Sequence, residues 1–221
     1  MWIGRTFKLR LRVQGEVGII ILSMKQIILA RHPETELIAS GSGGQRRNDS
    51  LLSDFGRKQA EEVRDFIKSK NLNYQAVFTS LFHRAYEMGK IVNEKNVPIY
   101  PTDSFNEYFQ RDDGKGVETT DMGAARTMTK IYSMFDIFDE IVIVAHASIN
   151  KTILQNIMNN SFDECKEYYN LLGETHVLRL DWEIGDKTWS IVDSFTPTQP
   201  EKKETKKQTS DIHILLLRDS L

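Results

Sequence analysis

The sequence predicts an α/β protein: a three-layer αβα sandwich with a mostly parallel central sheet and helices on both faces. Three observations carry this. The apolar run Ile27-Ile28-Leu29-Ala30 stops abruptly at Arg31-His32-Pro33, as a buried parallel strand does on leaving its sheet. A second run, Ile141 to Ala145, is the most hydrophobic of the chain and also ends in a histidine, His146. Short apolar runs alternate with stretches of helical periodicity, the order that builds a parallel sheet through crossover connections.

Taken in order, Phe7, Leu9, Leu11 and Val13 alternate with Lys8, Arg10, Arg12 and Gln14, a period-two strand with one basic face. Gly15 and Gly18 could turn it back into Ile19–Leu22. Residues 1–23 are read as an N-terminal extension of a domain spanning 24–198. Arg5 to Arg12 ahead of Val17–Leu22 superficially resemble a signal peptide. The apolar run is short, however, and no small-residue cleavage pattern follows, so a cytoplasmic location is expected.

After the first motif strand comes a Gly/Ser/Arg/Asn loop, Ser40 to Ser50. Ser53 is a fitting N-cap for a helix to about Lys70, with Phe55, Gln59/Ala60, Val63 and Phe66/Ile67 inward and Asn71 ending it. Ala76–Thr79 is a short strand. Ser80 is then placed as the cap of a helix with the stripe Leu81/Phe82, Ala85, Met88 and Val92. Pro98–Pro101 reads as extended and Gln110–Gly116 as a polar loop. Ala124/Ala125, Met128, Ile131, Phe135 and Phe138 give another helix face. Ile149, Ile153/Leu154 and Ile157/Met158 give the helix after His146. Strands near His176–Leu180 and Thr188–Val192 close the sheet. From residue 199 to 221 a Lys-rich tail, EKKETKKQTS and then the apolar Ile212–Leu217, is expected to be flexible, its lysines a solvated linker.

Composition narrows the function classes. The 221 residues carry a net charge of −2, so no global basic field draws nucleic acid or a membrane surface. No run reaches the eighteen or so apolar residues that a membrane span needs. The single Cys165 excludes an internal disulfide framework and a zinc ribbon. It reads as an ordinary structural thiol of a reducing compartment. The sequence sets no oligomeric state.

The chemistry lies at three strand ends. One Arg-His pair at a strand end is commonly structural. Here, though, a strand gives way to polar residues and a helix three times: at Arg31-His32, at Thr79-Ser80 with Arg84 one turn on, and at His146. In a parallel sheet these ends share one rim, where open α/β sheets bind ligands. Two imidazoles, two guanidinium forks and helix N-termini on one rim suit a phosphoryl group.

These residues resemble the histidine phosphatase superfamily, the phosphoglycerate-mutase-like fold, on its phosphatase branch. The family's Arg-His-Gly-x-Thr stands here as Arg31-His32-Pro33-Glu34-Thr35. Its Leu-Thr-x-x-Gly-x-x-Gln-Ala helix start stands as Leu52-Ser53-Asp54-Phe55-Gly56-Arg57-Lys58-Gln59-Ala60. Its Ser-x-Leu-x-Arg-Ala is similar to Ser80-Leu81-Phe82-His83-Arg84-Ala85. Its Leu-x-Glu looks like Phe105-Asn106-Glu107, and its second His-Gly like His146-Ala147. The resemblance covers about residues 24–195. The chain departs from the pattern at Pro33, at Ile38 where many members carry an Asn, at Ala147-Ser148, and in the loop holding Arg46, Arg47 and Asn48.

The resemblance implies a metal-independent phosphatase without cofactor, acting on a phosphorylated small molecule or phosphoprotein. His32 is then the nucleophile, and neighbouring cations favour its neutral form. Arg31, Arg84 and His146 hold the phosphoryl group, with Thr35 in the binding set. Glu107 is the general acid and base, and Glu118 is its competitor in the same polar region. His83 is peripheral, about 100° round the helix from Arg84. His32-Pro33-Glu34 also matches the His-x-Glu start of zinc deaminases, but their Pro-Cys-x-x-Cys is absent. Two other readings on the same fold are a phosphoglycerate-mutase-type phosphotransferase and a non-catalytic phospho-ligand or protein-binding module.

Overall fold

The structure is a computed structural model describing residues 6–13, 16–23, 25–41, 49–108, 118–158, 162–183 and 186–201. The loop with Arg46, Arg47 and Asn48, the polar loop before Glu118 and the Lys-rich tail lie outside the described residues.

Strands β1 (Thr6–Val13) and β2 (Glu16–Ser23) pair antiparallel as a two-stranded sheet of their own. Gly18 sits within β2 rather than at the turn.

The remaining strands are β3 (Lys25–Arg31), β4 (Ala76–Thr79), β5 (Ile99–Pro101), β6 (Glu140–Ala145), β7 (Thr175–Glu183) and β8 (Asp186–Phe195). They form one six-stranded sheet in the order β5-β4-β6-β3-β7-β8. β5, β4, β6 and β3 are mutually parallel. β7 and β8 complete the sheet as an antiparallel hairpin. The mostly parallel α/β sheet therefore holds. The segment around Pro98–Pro101 joins as the edge strand, where a proline lacking a ladder N–H is tolerated.

The central strands are buried on both faces, which explains their unbroken apolar runs. Alternate residues feed two cores. Ile27, Leu29, Ala76, Phe78, Ile141, Ile143 and Ala145 face one, shared with α4 (Thr120–Phe135), α5 (Ala147–Met158) and α6 (Phe162–Cys165). Ile28, Ala30, Val77, Val142 and Val144 face the other, under α2 (Asp54–Ser69) and α3 (His83–Val92). Full burial of each Ile or Leu contributes about 1.5–3 kcal/mol. Cys165 is a buried free thiol of the first core.

Ser53 caps α2, its Oγ accepting from Gly56 N at 2.9 Å. Asn71 follows the helix at a positive φ of 51°. α3 corrects the expectation for Ser80. The helix begins at His83 with Phe82 as N-cap, Leu81 is exposed, and Ser80 points elsewhere. α4 keeps the predicted Met128 and Ile131 in the core, with Phe135 and, just beyond the helix, Phe138 packed against it. It buries Gly123, Thr127, Met128, Ile131 and Met134 and leaves Ala125 exposed, because Tyr108 packs directly against the side-chain-free Gly123.

Candidate active site

Three backbone hydrogen bonds bring the strand ends to one rim. His32 N donates to Ala145 O, Ser80 N to Val144 O, and Thr102 N to Thr79 O. The last carries the short 3-10 turn Asp103–Phe105, and Glu107 beyond it, alongside β4. The parallel register sets Arg31 opposite Ala145 and Thr79 opposite Val144. Residues scattered from 31 to 146 in the chain thus become neighbours.

His32 is buried, and its Nδ1 lies 2.8 Å from the Pro33 carbonyl oxygen. A carbonyl only accepts, so Nδ1 carries the proton and Nε2 carries the lone pair. Burial, then the charges of Arg84 and Arg31, push its pKa well below the ordinary imidazole value, against a smaller lift from Pro33. His146 is also buried, its ring centroid 5.1 Å from that of His32. Burial and then His32, Arg84, Arg31 and Arg126 lower its pKa as well.

Arg84 is buried under the Phe82 ring, its guanidinium carbon 4.4 Å from the centroid. Its Nη2 lies 3.4 Å from His146 Nδ1 and its Nη1 3.6 Å from Asp49 Oδ1. Burial lowers its pKa, while Asp49 and Glu107 oppose that shift. Arg31 projects from the last position of β3. Its Nη1 donates to the carbonyls of Tyr169 and Asn170 at 3.0 and 2.7 Å.

Glu107 is half-buried, its Oε1 accepting from Tyr108 N. Both flanking residues are tied down. Asn106 O accepts from Arg126, and the Tyr108 hydroxyl bonds the Thr152 hydroxyl. Glu118 is differently employed: it forms a two-point ion pair with Arg126, the same side chain that holds the Ser104 and Asn106 carbonyls. Thr35 serves α1 (Glu36–Ala39) as N-cap, its Oγ1 accepting from Ile38 N. His83 is exposed, its Nδ1 2.6 Å from Asp49.

Sequence reasoning missed three rim residues. Ser80 and Asn106 lie between His146 and the 3-10 turn, and Asp49 bonds the first N–H of α3 beside Arg84. A Ser before a helix reads as a cap whichever way its hydroxyl points. No group of three or more His, Cys, Asp or Glu suited to a metal ion occurs among the described residues. No helix among them is long and apolar enough to cross a membrane.

A neutral imidazole lone pair, the buried guanidinium of Arg84, the half-buried one of Arg31 and a half-buried carboxyl on one rim can receive, hold and protonate a phosphoryl ester. Comparison with known proteins agrees with that chemistry. The model of the histidine phosphatase superfamily (branch 1) matches residues 27–131. A protein of Schizosaccharomyces pombe described as a probable phosphatase is 30% identical over 80 residues, 34% of this chain and 37% of that protein. The match thus spans little more than a third of that relative. Among solved structures, mycobacterial glucosyl-3-phosphoglycerate phosphatase superposes with a TM-score of 0.65 at 16% identity, covering 79% of this chain and 100% of the other. The alpha-ribazole phosphatase from Shigella flexneri gives 0.60 at 16% identity, over 75% and 95%. At these identities the likeness is one of fold.

Proposed function

We propose that the chain is a phosphomonoesterase working through a phosphohistidine on His32. The observation that supports this most is the Pro33 carbonyl fixing the His32 proton on Nδ1, which leaves a nucleophilic Nε2 beside the Arg84 and Arg31 charges. Nε2 attacks phosphorus, the ester P–O bond breaks, and Glu107 gives its proton to the leaving oxygen. Glu107, now a carboxylate, takes a proton from water; that water attacks phosphorus, the N–P bond breaks, and inorganic phosphate leaves. Arg31, Arg84 and His146 hold the equatorial oxygens, and Thr35 completes the binding set. Their positive charge does here what a metal ion does in other phosphoryl-transfer sites. A phosphorylated metabolite fits the fold neighbours, whose names denote phosphatases of small molecules; a phosphoprotein is the other class of substrate.

The test is brief reaction with a labelled phosphomonoester, quenched in alkali. An acid-labile phosphate should appear on the wild-type protein and be absent from His32→Ala. Label retained by that variant would remove His32 from the mechanism. Binding of the ester without turnover would favour a binding module. Conversion of 3-phosphoglycerate to 2-phosphoglycerate faster than phosphate release, with a trace of bisphosphoglycerate present, would favour a mutase.

A further inference from the structure

We infer that Ser80 and Asn106 are positioning residues that fix the proton of His146 on Nε2, so that Nδ1 gains a proton only when an anion arrives. The inference rests on the phosphoryl-binding reading above and deepens it.

The argument runs from fixed donors. Leu81 N–H can only donate, and it donates to Asn106 Oδ1 at 2.9 Å. That atom is therefore the amide oxygen, and Ser80 Oγ, also 2.9 Å away, must give it the hydroxyl hydrogen. Phe82 N–H already donates to Ser80 Oγ at 3.1 Å. With its own hydrogen committed, Ser80 Oγ can only accept from His146 Nε2 at 2.9 Å. The proton lies on Nε2, and Nδ1 presents a lone pair to Arg84 Nη2 at 3.4 Å. Every donor in the chain meets an acceptor in this arrangement, and the reverse arrangement sets an N–H of His146 against an N–H of Arg84.

An arriving phosphoryl group changes the partner at Nδ1. An anion oxygen beside Arg84 faces a lone pair there, which repels it. Ser80 Oγ is pinned by the Phe82 N–H and by Asn106 Oδ1, which the Leu81 N–H holds in turn, so the Nε2 proton stays. One proton, from solvent or from the P–OH of a monoanion, moves to Nδ1, and the resulting imidazolium donates to Ser80 at one end and to the anion at the other. The groups facing His146 oppose its charging before an anion binds: Arg31 at the end of β3, His32 just past it, Arg84 on α3 and Arg126 on α4. Glu107 and Asp49 act on Arg84 from the other side. The dianion reverses that balance.

Nitrogen-15 NMR of protein labelled in its five histidines, with His146→Gln used for assignment, reads this out near pH 7. The empty protein should show His146 neutral with the proton on Nε2. Saturation with inorganic phosphate or vanadate should protonate Nδ1 as well. Calorimetry with inorganic phosphate in buffers of different ionisation heats should show proton uptake that rises toward one as the pH is raised and phosphate enters as the dianion. Ser80→Ala should mix the tautomers and weaken phosphate binding about tenfold, the loss of one hydrogen bond to a charged group. Ser80→Thr should restore both. A proton on Nδ1 in the empty protein, a singly protonated His146 in the phosphate complex, or an unchanged spectrum in Ser80→Ala would each overturn the inference. Failure to bind either anion would instead defeat the phosphatase reading, while the empty-site spectra of wild type and Ser80→Ala would still decide what Ser80 and Asn106 do.

Discussion

The imidazoles of His32 and His146 meet edge to face, centroids 5.1 Å apart and planes at 63°, in a pocket whose burial, ahead of its cations, disfavours charge on both. An unfolded chain binds protons on these groups near the ordinary value of 6.5, and the folded chain binds them only at lower pH. Their contribution to stability is therefore complete above 6.5 and is lost as pH falls from there toward the lowered folded values. Denaturant unfolding of the ligand-free protein between pH 7.5 and pH 5, values chosen to bracket about 6.5, should show that loss. The double variant His32→Asn, His146→Gln should lose less over the same range. An equal slope in both proteins would contradict it.

Glu107 and Glu118 should separate cleanly. Glu107→Gln is expected to slow turnover of an alkyl phosphate by about 10²–10⁴-fold, and p-nitrophenyl phosphate far less, because only the poor leaving group needs the proton. Glu118→Gln breaks the ion pair with Arg126 and should lower stability by about 2–3 kcal/mol, slowing both substrates by the same factor. Leaving-group dependence in Glu118→Gln would exchange the two assignments.

Gly56 lies in the first turn of α2 against the backbone of Glu34, two residues past His32. A Cβ there would lie 2.0 Å from the Glu34 carbonyl oxygen, an overlap that no rotamer relieves. Gly56→Ala should therefore destabilise the fold by about 1–3 kcal/mol. Because the displaced backbone leads back to His32, kcat should fall more than KM rises. Wild-type melting and kinetics in this variant would show that α2 can retreat.

Arg31 and Arg84 should make turnover independent of divalent cations, and activity in EDTA should equal activity without it. A loss on chelation, restored by Mg²⁺ or Zn²⁺, would replace the arginine clamp with metal chemistry.

β3 and β6 were legible because both their faces are buried, so each appears as an unbroken apolar run ending in a histidine. The face of α4 was legible at Met128, Ile131 and Phe135 but not at Gly123 and Thr127, which are buried without being apolar: one receives the Tyr108 ring, the other bonds the Ser104 carbonyl. Arg31, His32, Arg84 and His146 were placed on one rim by topology alone, and the structure brings them together. The contact of Ser80 with Asn106 escaped notice because a polar contact between residues 26 positions apart leaves no periodicity to read. β5 escaped as a strand because it is three residues long and ends in proline.

Arg31 is gripped by main-chain oxygens of Tyr169 and Asn170, and main-chain oxygens do not depend on which side chain follows them. Exchanging the exposed residues at 170 and 171 leaves the acceptors in place. Inserting or deleting one residue between Lys166 and Glu174 swings both carbonyls away, and the loop's return to β3, where Glu174 O accepts from Arg31 N, goes with them. At this corner of the rim, function is written in the length of the chain and hardly at all in its letters.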